Sequence, residues 1–475
     1  MADSRELHGR TAIYSDAEGV DASNVLEVLE DALATHDGNA SDISYLYDYY
    51  RGRQPILERT KTYNTTINNK IVENRAKEIS DFKTGYFLSA PLQLIDATTQ
   101  ETTETFENSE IGKLARWMRS EAKDANDLEL AFWQSICGTA YRMFNPKDEV
   151  PEDDTVAPFE LIVLDPRYTF VVYNSAPAHK PILGVSFVTD SDGNATYYCY
   201  TASSVFVVAD DEITSSKPHL LGQIPIVEYP LGPTRMGDFE PVIPLLDALN
   251  LAESNRLDGV EQFVQAIMVL KGVDVGDMEQ FLTDLREMGG MRLTKDGDAK
   301  YLTLNLDQTQ TQTLVHSLYD AVRDICGMPR QYTGYPYSSD TGSAVFLRDG
   351  WSTTEAMACR TETWFRRSER RFLDMAIDFC NTVGGLNLRH QDVDIRFPRR
   401  NYTNDSANVD NLIKLLSSDW VTPEQAFEHS SMFPDPHSEY LKALAWHDQR
   451  EAETVNSLLN ATEEPEPEPE QVEVL

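Results

Sequence analysis

YLYDYYRGRQPILER (Tyr45–Arg59) and, eight residues later, NNKIVENRAKEISDFKTGYFLSAPL (Asn68–Leu92) carry the densest information in the chain. Tyr45, Tyr49 and Ile56 precede a polar, Asn-rich turn. Ile67, Ile71, Ala76, Ile79 and Phe82 then recur at near-helical intervals, which predicts a helix across them. Gly85 ends that pattern and Pro91 blocks its continuation, so residues 87–95 read as a short strand.

Upstream, residues 22–34 form a short amphipathic stretch inside an otherwise weakly patterned acidic segment, 1–41. Downstream, residues 110–137 read as one helix that Gly138 breaks. From 139 to 230 the apolar period shifts towards two, predicting strands at 159–164, 169–173, 182–189, 196–201 and 205–209. Asp190–Asn194 reads as a hairpin turn, since the bidentate Glu of a calcium loop is replaced by Thr201. Residues 222–233, rich in Pro and Gly, read as a hinge.

A long helix then opens at Pro244 and reaches about 270, with Asp247, Glu253, Asp258 and Glu261 as its acidic side. A second, 307–326, carries Thr309, Thr313 and Asp320 on its polar face. The insert between them is expected to hold a helix at 278–288, then strands at 291–294 and 300–304 around Asp296-Gly297. Residues 327–343 read as a loop containing Arg330, Tyr332, Gly334, Tyr335, Tyr337 and Asp340. A helix of nearly forty residues, 344–382, ends at Gly384-Gly385, and a strand at 392–397 and three helices at 410–417, 422–428 and 436–459 follow. The fold class is therefore α+β, mainly helical. The Glu/Pro alternation of EEPEPEPEQVEVL predicts a disordered tail at 461–475.

Composition narrows the function classes. The formal net charge is −37 over 475 residues, which argues against tight wrapping of nucleic acid. It is read either as plain solubility or as a surface that must not stick to DNA. No apolar run is long enough to span a membrane, and residues 1–19 lack the apolar core of a secretion signal. The five cysteines are widely spaced and form no CxxC pair, as expected of inert thiols in a reducing compartment. No phosphate-binding loop, zincin motif, Cys/His cluster or nucleophile elbow is present, so neither an enzyme nor a metal centre is expected. The histidines, His36 among them, read as surface residues. One basic cluster interrupts the acidity: Arg366, Arg367, Arg370 and Arg371. Residues four apart share a helix face, so Arg366 pairs with Arg370 and Arg367 with Arg371. The cluster is read as a solvated face balanced by Glu362 and Glu369, or as a subunit contact against an acidic neighbour, with phosphate binding as the third reading.

The opening stretch resembles the segment that begins the core of SPP1-type phage portals, through Tyr49, Tyr50, Gly52, Asn68, Asn69, Lys70, Asn74, Ala76, Ile79, Gly85, Tyr86 and Pro91. The order of elements agrees with that family over roughly 42–453. The resemblance implies a wing (42–240 and 344–397), stem helices (241–266 and 307–326), a clip (267–306), a tunnel loop (327–343) and a crown (398–460). It implies a dodecameric ring at one capsid vertex of the virion, assembled in the host cytoplasm, through which double-stranded DNA is packaged and ejected. The expected partners are the terminase large subunit and head-completion proteins at the clip, and the major capsid and scaffolding proteins around the ring. No membrane and no cofactor are implied, beyond non-specific divalent cations. Asp247, Glu253, Asp258, Glu261 and Asp320 would line the channel and repel phosphates, and the tyrosine-rich loop would touch DNA. The alternative is another phage head structural or connector protein.

Overall fold

A computed structural model of the chain describes residues 7–62, 65–96, 109–147, 151, 153, 155–264, 267–271, 298–302, 308–329, 350–398, 405–430, 432–433 and 436–462. It is α+β, with helix outweighing strand. A short strand β1 (Ile13–Ser15) leads into helix α1 (Val25–Tyr50), followed by α2 (Arg75–Phe87), β2 (Gln93–Asp96), α3 (Glu110–Ser120) and α4 (Lys123–Cys137). Eight strands come next: β3 (Thr139–Pro146), β4 (Phe159–Leu164), β5 (Thr169–Asn174), β6 (Pro181–Thr189), β7 (Ala195–Tyr200), β8 (Ser204–Ala209), β9 (Glu212–Pro218) and β10 (Ile226–Pro230). Helix α5 (Ile243–Val264), strands β11 (Ile267–Lys271) and β12 (Asp298–Leu302), and helix α6 (Thr309–Cys326) form a hairpin. Helix α7 (Trp351–Thr382), β13 (Val393–Arg396), α8 (Asp405–Leu416), α9 (Pro423–His429) and α10 (Pro436–Thr462) complete the chain.

The period-two region is the best-anticipated part. Its strands form a six-stranded sheet ordered β1-β5-β6-β7-β8-β9 and a three-stranded sheet ordered β10-β3-β4. The hairpin turn at Asp190 closes with its amide donating to the Asn194 carbonyl at 3.0 Å. The expected hinge at 222–233 instead contains β10, paired antiparallel with β3. Tyr229 and Ile226 are buried there, so its proline punctuation bounds a strand.

Other expectations need correction. Helix α1 runs unbroken for 26 residues across the expected boundary at 41. Gly38 costs a helix about 1 kcal/mol, and burial of Val28, Leu29, Ala32, His36, Ile43 and Leu46 along one face outweighs that. His36 is therefore a core residue, its Nε2 3.0 Å from the Arg167 carbonyl oxygen. The acidic N-terminal segment is built in as well. Strand β1 adds in parallel to β5, and the buried Arg10 pairs with buried Glu240 at 2.7 Å. The helix expected at 110–137 is two helices, parted where Ala122 adopts a φ of 52°. Gly138 does break the second one: its φ is 78°, and a Cβ there would sit 2.1 Å from the Arg235 carbonyl oxygen.

The main core joins the second half of α1 with α2, α3, α4, the three-stranded sheet, the base of the hairpin, α7 and β13. A second core packs the first half of α1 on the six-stranded sheet. Inside the main core lie four charges. Lys123 bonds Asp127 at 2.7 Å and Glu369 at 2.8 Å, while Arg142 bonds Glu369 at 2.9 Å and also contacts Asp127. The Tyr229 hydroxyl donates to Glu369 at 2.8 Å. Two cations against two carboxylates leave no net buried charge, and the cluster fixes α7 to α4 and β3 in one register. Glu369 is thus a core residue and balances no solvated face.

Candidate functional site

The helical hairpin is antiparallel. Near its far end Arg256 donates Nε–H to the Gln308 side-chain oxygen at 2.8 Å. At its base the Cys326 thiol lies 3.5 Å from the Asp238 carbonyl, just before α5. The far end is tied by β11 and β12, which pair antiparallel with Ile267 opposite Leu302. Thus 298–302 is a strand, and its partner is 267–271, which the sequence had assigned to a helix. The expected helix at 278–288, the strand at 291–294 and the Asp296-Gly297 turn lie outside the described residues.

Helix α6 stops at Gly327, whose φ is 63°, with the Met328 amide donating back to the Arg323 carbonyl at 2.9 Å. A Cβ at Gly327 would meet the Met357 sulfur at 2.3 Å, a flexible side-chain end that can move aside, so glycine is favoured here by its positive φ. Thr354 donates its hydroxyl to the Gly327 carbonyl at 2.8 Å. The start of the expected tunnel loop is therefore pinned against α7. Arg330, Tyr332, Gly334, Tyr335, Tyr337 and Asp340 themselves lie outside the described residues.

Helix α5 is gripped from Asn250 to Asp258 by the stretch that carries the family resemblance. Residues 67–74 form neither helix nor strand, and α2 begins only at Arg75, where the Asn74 side chain accepts from the Lys77 amide at 3.2 Å. The Asn-Asn-Lys run is therefore a strap leading to the helix, not its first turn. Three alternate backbone amides of the strap are met by every fourth side chain of α5. The Asn69 amide donates to Asp258 Oδ1 at 2.8 Å, the Ile71 amide to Ser254 Oγ at 3.0 Å, and the Glu73 amide to Asn250 Oδ1 at 2.8 Å. These donors need partners once buried, and the helix supplies them where a sheet would normally do so. Asp258 also accepts from the Asn69 side-chain amide at 2.9 Å and pairs with Arg59 at 3.1 Å and with Lys61. Burial pushes the Asp258 carboxyl up. The bonds from Lys61 and Asn69 outweigh that and hold it below the usual carboxylate range.

This geometry redistributes the expected channel residues. Asp258 is 3% exposed within a single chain, so its carboxylate serves the strap and is not offered to a passing duplex. Asp247 is half-buried and accepts from the Tyr49 hydroxyl at 2.8 Å. Burial raises its pKa and outweighs the Tyr49 bond. Glu253 is half-buried, 3.5 Å from Arg256. Glu261 and Asp320 are exposed. Asn250, Ser254, Arg59 and Lys61 were missed by sequence reasoning. The visible signal was a polar Asn250–Ser254–Asp258 row, repeating every fourth residue, inside a helix read for its acidic side.

The arginine cluster divides in two. Arg366 reaches the Ile395 carbonyl and pairs with Glu362 at 2.7 Å, and Arg370 reaches the Val393 and His390 carbonyls and pairs with Asp374 at 3.3 Å. Both hold their own chain's β13 in place. Arg367 and Arg371 are exposed on another face. Among the described residues, no group of three or more His, Cys, Asp or Glu side chains could hold a metal ion, and no helix is long and apolar enough to cross a membrane.

The chain matches the family described as "Phage portal protein, SPP1 Gp6-like" over residues 29–454. It is 21% identical to the portal protein of Bacillus phage SPP1 over 223 residues, which span 46% of this chain and 43% of that relative. Among solved structures, a chain of "Virion of native gene transfer agent (GTA) particle" is 13% identical, with a TM-score of 0.46 over 83% of this chain and 94% of that one. A chain of "Neck of native GTA particle computed with C12 symmetry" is 11% identical, with a TM-score of 0.41 over 76% and 90%. By the extent of the family match, which takes in the strap, both hairpin helices and α7, the chain belongs to the SPP1-type phage portal protein family.

Proposed function

We propose that twelve copies of this chain close into a ring at one vertex of a phage capsid, and that double-stranded DNA enters and leaves through its centre. The observation that carries this reading is the helical hairpin within a chain of portal family. Its first helix is held from Asn250 to Asp258 by the strap, and none of the described side chains at 259–262 or 308–314 belongs to a core cluster. In this reading α5 and α6 are the stem, 267–306 the clip, 327–343 the tunnel loop, and α8 to α10 the crown, with the wing formed by the remainder. The terminase large subunit and head-completion proteins dock at the clip, and capsid and scaffolding proteins surround the ring in the virion. Glu253, Glu261 and Asp320 are the carboxylates left to face DNA. They keep the channel wall from attracting phosphates, where a basic wall would bind them and release counterions. Electron micrographs of purified protein test the reading. Rings with a central hole are expected, and a uniform monomer across wide ranges of concentration and salt would refute it.

A further inference from the structure

We propose that the exposed arginine stripe of α7 binds the acidic face of α1 on a second copy of this chain, and that this contact closes the ring. The inference rests on the ring reading and names the surfaces that make it.

Arg360, Arg367 and Arg371 are exposed and recur at helical spacing, with Trp364 on the same stripe. The Arg367 guanidinium lies over the Trp364 ring, 5.4 Å from its centroid, which orients it. Among the described residues, no carboxylate lies within ion-pair distance of these three arginines. Asp374 and Asp378, further along the helix, are engaged by Arg370 and His390. Three unneutralised cations in one row are unexpected in a chain of net charge −37.

Helix α1 carries the complementary row. Glu27, Glu30, Asp31 and Asp37 are exposed along one side, and no basic side chain among the described residues pairs with them. At 1.5 Å per residue the acidic row is about 15 Å long and the arginine row about 16 Å. The two rows do not meet within one chain. This half of α1 packs on the six-stranded sheet, whereas α7 packs in the main core. A contact between two different patches is heterologous, and a repeated heterologous contact is the kind that generates a ring. A self-complementary patch would stop at a dimer. Arginine on the one side and carboxylates on the other also offset the self-repulsion that copies of so acidic a chain must overcome.

Charge reversal tests this in the full-length protein. Arg360→Glu, Arg367→Glu and Arg371→Glu together are expected to lower the ring fraction about tenfold or more near physiological salt, since several exposed pairs are inverted at every contact. Reversal of Glu27, Glu30, Asp31 and Asp37 to Lys should do the same. Both sets combined in one chain should restore the ring. Rings that persist after either reversal overturn the proposal, as does a loss that the combination fails to repair. Should a reversed chain fail to fold, Arg→Gln at the three positions serves instead. Fewer rings and a flatter salt dependence than the unaltered protein are then expected, and unchanged rings overturn the proposal. Rings that form normally but no longer retain duplex DNA would assign the stripe to nucleic acid and overturn it equally. An unaltered protein that never forms rings overturns the ring reading as well, whereas rings indifferent to the swap overturn only this contact.

Discussion

The two helices of the hairpin lie antiparallel and share an amphipathic pattern, yet different chemistry holds each to the body. Helix α5 is gripped by directed polar bonds, from Asp247 to Tyr49 and from Asn250, Ser254 and Asp258 to the strap. Helix α6 buries Val315, Val322 and Cys326, and its main polar tie is one hydroxyl: Tyr319 donates to Glu78 at 2.7 Å beneath the Arg75 guanidinium. Apolar contact is non-directional and tolerates small slides, whereas a hydrogen bond fixes rotation and height. The first helix is therefore set in rotation and height by directed bonds, and the second chiefly by apolar packing.

Asp258→Ala should break that distinction most severely. It takes the carboxylate partner from Arg59 and Lys61 and the acceptor from two amide donors of Asn69, a loss of about 3 kcal/mol in a denaturant titration. Exchange at the Asn69, Ile71 and Glu73 amides should accelerate together. A loss below about 1 kcal/mol, with exchange unchanged, would mean that α5 is held no differently from α6. Asn250→Ala comes next, at about 2 kcal/mol, because it strands the Glu73 amide and the Gln54 side chain at once, and Ser254→Ala should cost about 1 kcal/mol.

Tyr319→Phe should cost about 1 kcal/mol, and it sharpens the comparison through pH. Asp258 is held below its ordinary value, so its contribution is full above about pH 4 and is lost as pH falls through the lowered value. Burial and the bond to Glu78 push the Tyr319 hydroxyl up to about 12. Its contribution is full below about pH 10 and is lost as pH rises towards that value. Acid should therefore release α5 and alkali α6. In denaturation midpoints against pH, Asp258→Asn should flatten only the acid limb and Tyr319→Phe only the alkaline one. A mutant that flattened the opposite limb would undo the assignment. The smallest effect is expected from Glu261→Gln and Asp320→Asn, within about 0.5 kcal/mol because both are exposed. Their consequence should appear only in DNA transit, and packaging that is indifferent to them at every salt concentration would remove them from the channel wall.

Alternation made the strands between Phe159 and Ala209 legible, because one buried face writes itself into every second residue. Both hairpin helices were legible for the same reason at helical period. The strap was not. Ile67 and Ile71 stand four apart, as in a helix, and nothing local shows that their amides are claimed by side chains nearly two hundred positions away. Asp258 was read as channel-facing for a related cause, since a carboxylate on a polar helix face looks the same whether it meets water or a half-buried lysine. The arginine cluster was seen, but its true outward row needed Arg360, seven residues upstream of Arg367, and needed Arg366 and Arg370 removed. Only the position of β13 separates the two.

The strap also acts as a vernier. Four residues of helix advance about 6.0 Å, while two residues of extended chain advance about 6.6 Å. Each rung thus drifts by about 0.6 Å against the last. Three rungs centred on Ser254 stay within hydrogen-bonding tolerance, and a fourth or fifth would fall outside it. The mismatch limits how long such a ladder can grow, and the acceptors at Asn250, Ser254 and Asp258 set its register. A scale of this kind measures out where a helix stops along its axis, with no need for a large buried surface.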